Sequence, residues 1–440
     1  MSDEMLFEAS EVTTAPMGGR EEHRAARVQV PVRNQVEMIL AALDNLLPEA
    51  HQARIVWAFV ERQDLSALYA LIRAREDRPG RTPIAPELLM ALWLNATLDG
   101  VGSARELARR SEEDVAYRWL CGGVSVNYHT LSDFRVDHAE FLDELLTRDV
   151  ASLMAEGLVE LTRVAQDGMR VRASAGAASY RRRPTLEECL KEAQAQVEAL
   201  RKELEESPES STPRERAARE RAVRERQERV ERALAKSEEI QAKKSDKDKE
   251  KVRVSTTDPE VPVMKMGDGG FRPAANVELA TDTGSQIISG VDVTGRGSDQ
   301  GEMAPMVQQH QERYQTYPGA MLVDGGFAKQ EDIETVSAPE IGCTVYAPVP
   351  KPKDLHRDRF VPLPGDSEAV AAWRQRMGTP EAQEIYKERA STAECVNAIA
   401  RNRGLRQFTV RGLKKIKAVV LWYVLAHNLM RAHDLRMATA

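Results

Sequence analysis

A highly charged helical segment divides the chain, and this feature most limits what the chain can fold into. Residues 181–250 contain 19 basic and 18 acidic residues, whereas strand-like patterns lie on both sides of them. The sequence SPESSTP at 207–213 interrupts the segment. Before that break, apolar residues are spaced 4-3-4-3-4, as in a coiled-coil seam: Leu186, Leu190, Ala193, Val197, Leu200 and Leu204. We predict a helical, coiled-coil-like hairpin, with helices near 185–206 and 214–244, inserted into a domain that contains strands.

The region before the insertion has a helical pattern. From Asn34 to about Leu158, apolar residues recur at spacings of three and four, which predicts an all-α domain over 31–158. Two of its short helices have candidate N-caps, Ser103 with Glu106 and Ser111 with Asp114. The short helices near 103–135 are typical of a helix-turn-helix, and an ordinary helical bundle fits the pattern equally well. In a helix-turn-helix, phosphate contacts would come from Arg105, Arg109, Arg110 and Arg135.

The region after the insertion alternates strands and helices. Two strand patterns flank Asp282-Thr283-Gly284-Ser285, a hairpin signal, and further helices and strands follow. This order predicts an α/β fold with an antiparallel start, built from 159–180 and 251–440. The last 40 residues hold nine Lys or Arg and one acidic residue although the whole chain has a net charge of −7, which indicates a local surface for an anion.

Composition excludes several other classes. The four cysteines form no Cys-x-x-Cys pair, which argues against a zinc site or a disulfide framework and favours a reducing compartment. The sequence contains no signal peptide and no run of 18 apolar residues, so we expect a cytoplasmic protein without a membrane partner. Residues 1–30 are polar, and we predict a disordered tail there.

Two predicted strands end in the same way, with Asp167 before Gly168 and Asp324 before Gly325. A single Asp-Gly pair usually indicates only a turn. Two such pairs at the ends of neighbouring strands would bring two carboxylates to one edge of a sheet, where they would need a cation. Carboxylate oxygens select Mg²⁺ or Mn²⁺, and two such ions can hold the attacking and leaving oxygens of a phosphodiester. Arg170 and Arg172 follow Asp167 and are candidates to hold the DNA strand.

A third carboxylate is expected on a later helix. Tyr386, Arg389, Glu394 and Arg401 lie on one predicted helix, and the seven residues from Glu394 to Arg401 approximate two helical turns. This spacing places a candidate metal ligand and a candidate phosphate ligand on nearly the same face. Without other context, the segment would be an ordinary exposed charged helix.

From about Gln35 to Ala432 the sequence resembles the DDE transposases of bacterial insertion sequences, in the branch with a Tyr-Arg-Glu signature. Each matching segment is modest by itself, whereas their order and spacing together are specific. The resemblance is carried by SARELARRSEEDVAYRWLCGG, NYHTLSDFR, VAQDGMRVRASAG, DGGFRPAANVELATDTGSQIISGVDVTGRGSDQGEMAPM, LVDGGFAKQEDIE, YKERASTAECVNAI and RGLRQFTVRGLKKIKAVVLWYVLAHNLMR.

The resemblance implies a ribonuclease-H-like mixed sheet in which Asp167, Asp324 and Glu394 bind two Mg²⁺ ions, which Mn²⁺ can replace. It implies cutting and joining of the element's ends, with the terminal inverted repeats and target DNA as partners and a homodimer or larger synaptic assembly. It also implies that 31–158 binds DNA and that the protein is nucleoid-associated when bound. The expected DNA contacts are Arg170, Arg172, Tyr386, Arg389, Arg401, Lys414, Lys415 and Lys417.

The sequence departs from the family pattern around the third acid. The common signature places the Glu four residues after the Arg, where this chain has Ala393, and Glu394 comes one residue later. The last basic residue of the family signature is usually Lys, whereas this chain has Arg401 there. Glu388 is a weaker rival for the third acid. We interpret three further acids as loop or capping residues: Asp299, Glu331 and Asp332.

Three other functions remain as alternatives. The first is an inactive, DNA-binding relic of a transposase, which would apply if the acids do not converge. The second is another ribonuclease-H-like nuclease, such as a repair nuclease, and the helical N-terminal region and the late basic helix argue against it. A coiled-coil scaffold would account for residues 181–250 but not for the strands on either side of them.

Overall fold

The central element of the fold is the strand that carries Asp167. The computed structural model describes residues 42–74, 82–206, 212–352 and 356–439, and those from Leu43 onward belong to one compact unit. The predicted disordered tail at 1–30 lies outside the described residues. The described strands are β1 Val164–Arg172, β2 Tyr180–Arg181, β3 Val254–Ser255, β4 Val263–Lys265, β5 Phe271–Asp282, β6 Ile288–Thr294, β7 Ala320–Leu322 and β8 Thr344–Tyr346.

The main sheet is mixed. β1 pairs antiparallel with β5 along its whole length and parallel with β7, which in turn pairs parallel with β8. On the side away from β1, β5 pairs antiparallel with two strands. Its start pairs with β4, and the rest pairs with β6. Read across the sheet, the order is therefore β6-β5-β1-β7-β8, with β4 beside the start of β5. The predicted α/β class with an antiparallel start is confirmed.

Helices surround this sheet and form the region before it. They are α1 Gln52–Glu61, α2 Ser66–Ala70, α3 Pro86–Leu98, α4 Ala104–Glu113, α5 Val115–Cys121, α6 Tyr128–Asp137, α7 Ala139–Ala155, α8 Arg183–Glu206, α9 Pro213–Ala242, α10 Asp246–Lys249, α11 Met303–Tyr314, α12 Gln330–Ser337, α13 Glu368–Met377, α14 Pro380–Arg389, α15 Cys395–Asn402 and α16 Leu413–Thr439. Among the described helices, none is both long and apolar enough to cross a bilayer.

The last helix, α16, joins the early helices to the sheet. It packs against α3, α6 and α7 on one side and against β6 on the other. The indole of Trp422 donates a hydrogen bond to the Arg135 carbonyl at 2.9 Å. The Asn428 side chain accepts from the Ile288 amide at 2.9 Å and donates to its carbonyl at 2.8 Å. A buried amide that satisfies both groups of one strand residue fixes the helix against β6, because leaving those groups unpaired would cost free energy.

The helical region corrects two expectations. Ser103 caps α4 as predicted, but Ser111 lies inside α4 and donates to the Ala108 carbonyl, so the prediction that it caps the next helix is wrong. Asp114 caps α5 instead, by accepting a hydrogen bond from the Ala116 amide. Arg135 is buried and donates to the Gly102 carbonyl. A buried guanidinium that is already bonded to the protein is not available for phosphate, so that expectation is also wrong.

The charged segment forms two antiparallel helices, α8 and α9, close to the predicted bounds. All six predicted seam residues are fully or partly buried, and of the other residues of α8 only Thr185 and Cys189 are partly buried. Arg219 on α9 pairs with both oxygens of Glu203 on α8 at 2.8 Å, and Arg183 pairs with Glu238 at the other end. α9 begins with a capping box between Thr212 and Glu215. The predicted break at 207–213 lies largely outside the described residues.

Candidate active site

Asp167, on the central strand β1, lies beside Asp324, which follows the end of the neighbouring strand β7. β1 and β7 pair in parallel with Val164 beside Met321 and Ala165 beside Leu322. Two residues further along the same register, Asp167 comes opposite Asp324. The sequence therefore correctly predicts adjacent carboxylates, although Asp167-Gly168 is not a turn. β1 continues to Arg172 because β5 pairs with it throughout, whereas β7 ends at Leu322 and Asp324 follows in a loop.

One guanidinium joins all three predicted acids. Nη2 of Arg389 lies 2.9 Å from Oδ1 of Asp167 and 4.0 Å from Oδ2 of Asp324. Nη1 of the same residue lies 3.0 Å from Oε1 of Glu394. The Arg389 side chain is only 11% exposed, and exposure of the acids rises from 18% at Asp167 to 41% at Asp324 and 58% at Glu394. The cluster therefore has a buried inner end and an open outer end.

The helix that supplies Arg389 and Glu394 contains a π-helical turn. α14 ends at Arg389, residues Ala390–Glu394 form a π-helix, and α15 continues from Cys395. A π-helical turn bonds residue i to i+5 and commonly lies at functional sites. It brings Glu394 back to the side of Arg389, although the two are five positions apart, and leaves Ala393 buried. The extra residue in the signature is thus absorbed locally. Glu388, the rival acid, pairs with Arg163 at 2.8 Å.

Asn397 is a site residue that the sequence analysis missed. Its Nδ2 donates to Oδ2 of Asp167 at 2.8 Å, so both oxygens of that carboxylate have partners. Burial raises the pKa of Asp167 and the nearby charge of Asp324 raises it further, whereas Arg389 and Asn397 oppose both effects. Asn397 follows Glu394 by three residues, and this helical spacing is the only signal that would have indicated it.

Two parts of the chain match family models of transposases. Residues 41–137 match the model described as "Transposase domain (DUF772)", and residues 352–433 match "Transposase DDE domain". These two matches support an insertion-sequence DDE transposase family for the chain. No curated protein and no solved structure matches it. The second matched range contains Arg389, Glu394 and Asn397, whereas Asp167 and Asp324 lie outside both ranges, so their place in the site of this transposase rests on the geometry.

The predicted DNA contacts of the transposase fall into two groups. In the first group, two residues lie at the acid cluster and a third is hydrogen-bonded to backbone carbonyls of the protein. Arg389 binds the acids, and half-buried Tyr386 lies near them, where burial raises the pKa of its phenol. Arg170 donates to the carbonyls of Lys265 and Gly297 at 2.7 and 3.0 Å, which fixes the loop after β6 against β4. These contacts give Arg170 a structural role in the free protein.

The other predicted contacts lie on the surface. Arg172 at the end of β1, Arg401 on α15 and Lys415 on α16 are exposed. Lys414 and Lys417 point instead toward α7, where they pair with Glu140 at 2.7 Å and Asp143 at 3.3 Å. Of the remaining acids, Asp299 lies in the loop after β6 as expected, and Glu331 and Asp332 lie in the first turn of α12.

The acid cluster has the ligand chemistry for a hard divalent cation. Mg²⁺ and Mn²⁺ prefer carboxylate oxygens, and Asp167, Asp324 and Glu394 supply oxygens from three separate elements. In the described ranges, no group of three or more His, Cys, Asp or Glu side chains is arranged to hold a metal ion as it stands. In this structure the Arg389 guanidinium lies among the three acids and provides the positive charge there. The chemistry of the three carboxylates suits a divalent cation.

Proposed function

We propose that this transposase cuts the ends of its element and joins them to target DNA, with Asp167, Asp324 and Glu394 as the ligands of two Mg²⁺ ions. The observation that carries the proposal is the contact of one guanidinium with all three carboxylates. The acids come from β1, the loop after β7 and the helix at 380–402. Carboxylates from such distant parts of the sequence repel one another, so their convergence favours a cation-binding role.

The topology supports a ribonuclease-H-like catalytic domain, as the family resemblance implies. In the order β6-β5-β1-β7-β8, the strand β5 runs antiparallel to both of its neighbours, β6 and β1. The last two strands, β7 and β8, run parallel to β1. The helical hairpin enters between β1 and β5, the first two of these strands. Asp167 on the central strand and Asp324 after its parallel neighbour then lie at a point open to a long substrate.

The residues around the acids have distinct roles in the proposed reaction. When bound, Mg²⁺ would activate the attacking water or 3′-hydroxyl and stabilise the leaving oxygen of the phosphodiester. Asn397 fixes the orientation of Asp167 through its hydrogen bond. Arg389, released from the acids, would contact a phosphate near the cut, where its planar guanidinium suits two oxygens. Positioning and charge neutralisation suffice for this chemistry, and no covalent protein–DNA intermediate is needed.

DNA is the proposed partner, bound by a homodimer or larger assembly that holds the terminal repeats and the target. Exposed Arg172, Arg401 and Lys415 support the contact with the phosphate backbone, since they have no described ion-pair partner. The contact should therefore weaken with salt, as counterion release requires.

A cleavage assay tests the proposal. The substrate is a duplex that carries the sequences flanking the gene, incubated with Mg²⁺ or with a chelator. We expect the wild-type chain to cut at the element's end only with the metal, and Asp324→Asn and Glu394→Gln to bind in a mobility-shift assay without cutting. Glu388→Gln is the matched control, because Glu388 lies beside Arg389 but pairs with Arg163, and it should cut normally. Binding without cutting by the wild-type chain would favour the inactive relic instead.

A further inference from the structure

Gly168, immediately after Asp167, leaves room for a group of oxygens from other parts of the chain. A methyl group at this position would lie 2.8 Å from Oε1 of Glu278, 2.9 Å from Oδ1 of Asp299 and 3.2 Å from Oδ1 of Asn276. Contacts under 3 Å are too short for a carbon atom, so a side chain at 168 would displace these oxygens. The glycine therefore leaves room for the oxygens of Asp299 and Glu278 beside β1.

Gly326, two residues after Asp324, also lies near the Asp299 carboxylate. A methyl group at Gly326 would lie 2.9 Å from Oδ1 of Asp324 and 3.4 Å from Oδ2 of Asp299. Oδ1 of Asp299 thus faces Gly168, next to Asp167, and Oδ2 faces the loop that carries Asp324. Asp299 lies between the two Asp-Gly segments, on a loop whose position the Arg170 hydrogen bond to Gly297 fixes.

A buried amide in this group lacks a partner. Nδ2 of Asn276 donates to Oε1 of Glu278 at 2.6 Å and to Oδ1 of Asp299 at 2.8 Å. Its own Oδ1 has no hydrogen-bond partner within the described part of the chain, although the residue is fully buried. A buried carbonyl oxygen without a partner is costly, and this one lies beside the same point next to Gly168 as the oxygens of Glu278 and Asp299.

No ion pair among the described residues neutralises the carboxylates of Glu278 and Asp299. Glu278 is fully buried, and its Oε1 shares the Asn276 amide with Oδ1 of Asp299. Arg389 serves Asp167, Asp324 and Glu394, and Asp299 forms no ion pair with the described residues. An additional cation on the Asp299 side would therefore be favoured electrostatically.

We propose that Asp299 is a fourth carboxylate of the active site and that it binds a divalent metal ion together with Asp324. Asn276 is a positioning residue that holds Asp299 at its Oδ1 and leaves Oδ2 free toward Asp324. This proposal rests on the proposed function, since it extends the same metal-binding cluster. It also assigns a purpose to Gly168, which a turn does not explain because β1 continues through that position.

Titration of the full chain with Mn²⁺, followed by electron paramagnetic resonance of the free ion, tests the proposal without reference to activity. Asp299→Asn keeps the shape of the side chain and its hydrogen bond from Asn276, and we expect it to raise the Kd for Mn²⁺ about tenfold or more. Gly168→Ala should weaken binding in the same direction, by moving Asp299. Gly325→Ala is its control, because nothing lies within 4 Å of a methyl group there.

Two further variants separate this proposal from the proposed function. Glu331→Gln removes an exposed acid that pairs with Lys329, and its Kd should equal that of the wild type. Asp324→Asn should weaken binding in either case. If Asp324→Asn weakens binding and Asp299→Asn does not, this proposal is wrong and the three-acid site stands. If the wild-type chain binds no Mn²⁺, both proposals fail. A lower melting temperature for Asp299→Asn with unchanged affinity would also overturn this proposal, because it would indicate a purely structural role.

Discussion

Replacing Arg389 with Gln should destabilise the metal-free protein by about 3 kcal/mol at pH 7. The reason is that Asp167 and Arg389 are 18% and 11% exposed, and removing one partner of a buried ion pair costs about 3–5 kcal/mol. The lower end applies because Asn397 still donates to Asp167, and Asp167 can take up a proton. Asp324 and Glu394 are 41% and 58% exposed, so losing their contacts with Arg389 adds less than about 1 kcal/mol.

The loss should depend on pH in a defined direction. Burial and the charge of Asp324 already raise the pKa of Asp167 above its usual value, whereas Arg389 lowers it. Removing Arg389 therefore raises the pKa of Asp167 further above that of the unfolded chain. A raised carboxyl pKa favours the protonated folded state, so stability is retained at low pH and lost as the pH rises through the folded pKa. The difference between variant and wild type should therefore be smaller at pH 4 than at pH 7.

Urea unfolding followed by circular dichroism, in the presence of a chelator, measures this difference. Arg163→Gln is the matched control, because it breaks the neighbouring pair with Glu388, whose side chains are 39% and 35% exposed. That control should lose no more than about 1 kcal/mol. Equal unfolding midpoints for Arg389→Gln and the wild type at pH 7 would refute the view that this guanidinium neutralises the acids.

Three further predictions concern other residues. Asn397→Ala should reduce the rate of metal-dependent cleavage about 10- to 100-fold, because Asp167 loses its orienting hydrogen bond. Mobility shifts should show unchanged DNA binding, and unchanged cleavage would contradict the role given to Asn397. Arg401→Ala should weaken DNA binding and lower the slope of log K against log salt by about one, and an unaltered slope would remove Arg401 from the interface. Burial lowers the pKa of His310 from 6.5 to about 4, so this group should make the protein less stable as the pH falls from 6.5 toward 4, because only the unfolded chain takes up the proton. Urea titrations of His310→Gln across this range should then show a free energy of unfolding that depends less on pH than that of the wild type. An identical pH dependence would contradict the lowered pKa of His310.

The elements were predictable from the sequence because each has a strong local signal. The hairpin around Asp282, the helices of the charged segment and the strand before Asp324 all follow from apolar periodicity and turn residues. The proximity of Asp167 and Asp324 also followed, since parallel neighbours place equivalent ends at one edge. The length of β1 did not, because its continuation past Gly168 depends on pairing with β5, about a hundred residues later.

The unpredicted parts of the site depend on contacts between distant residues. Asp299 has the local sequence of a loop residue, and its approach to Gly168 arises only when β1, β5 and the loop after β6 are brought together. Arg135 illustrates the same limit in reverse, since its sequence suits a surface helix but its guanidinium lies over the ring of Trp93 at 4.6 Å. The π-helical turn at 390–394 likewise has no apparent signal in the residues that form it.

Anomalous X-ray scattering from crystals of the full chain grown with Mn²⁺ tests the central claim most directly. The account predicts a manganese peak within coordination distance of both Asp167 and Asp324, at about 2.0–2.3 Å from their oxygens, with the Arg389 guanidinium moved away from them. It would be contradicted by crystals in which Arg389 still joins the three acids and manganese binds elsewhere or not at all.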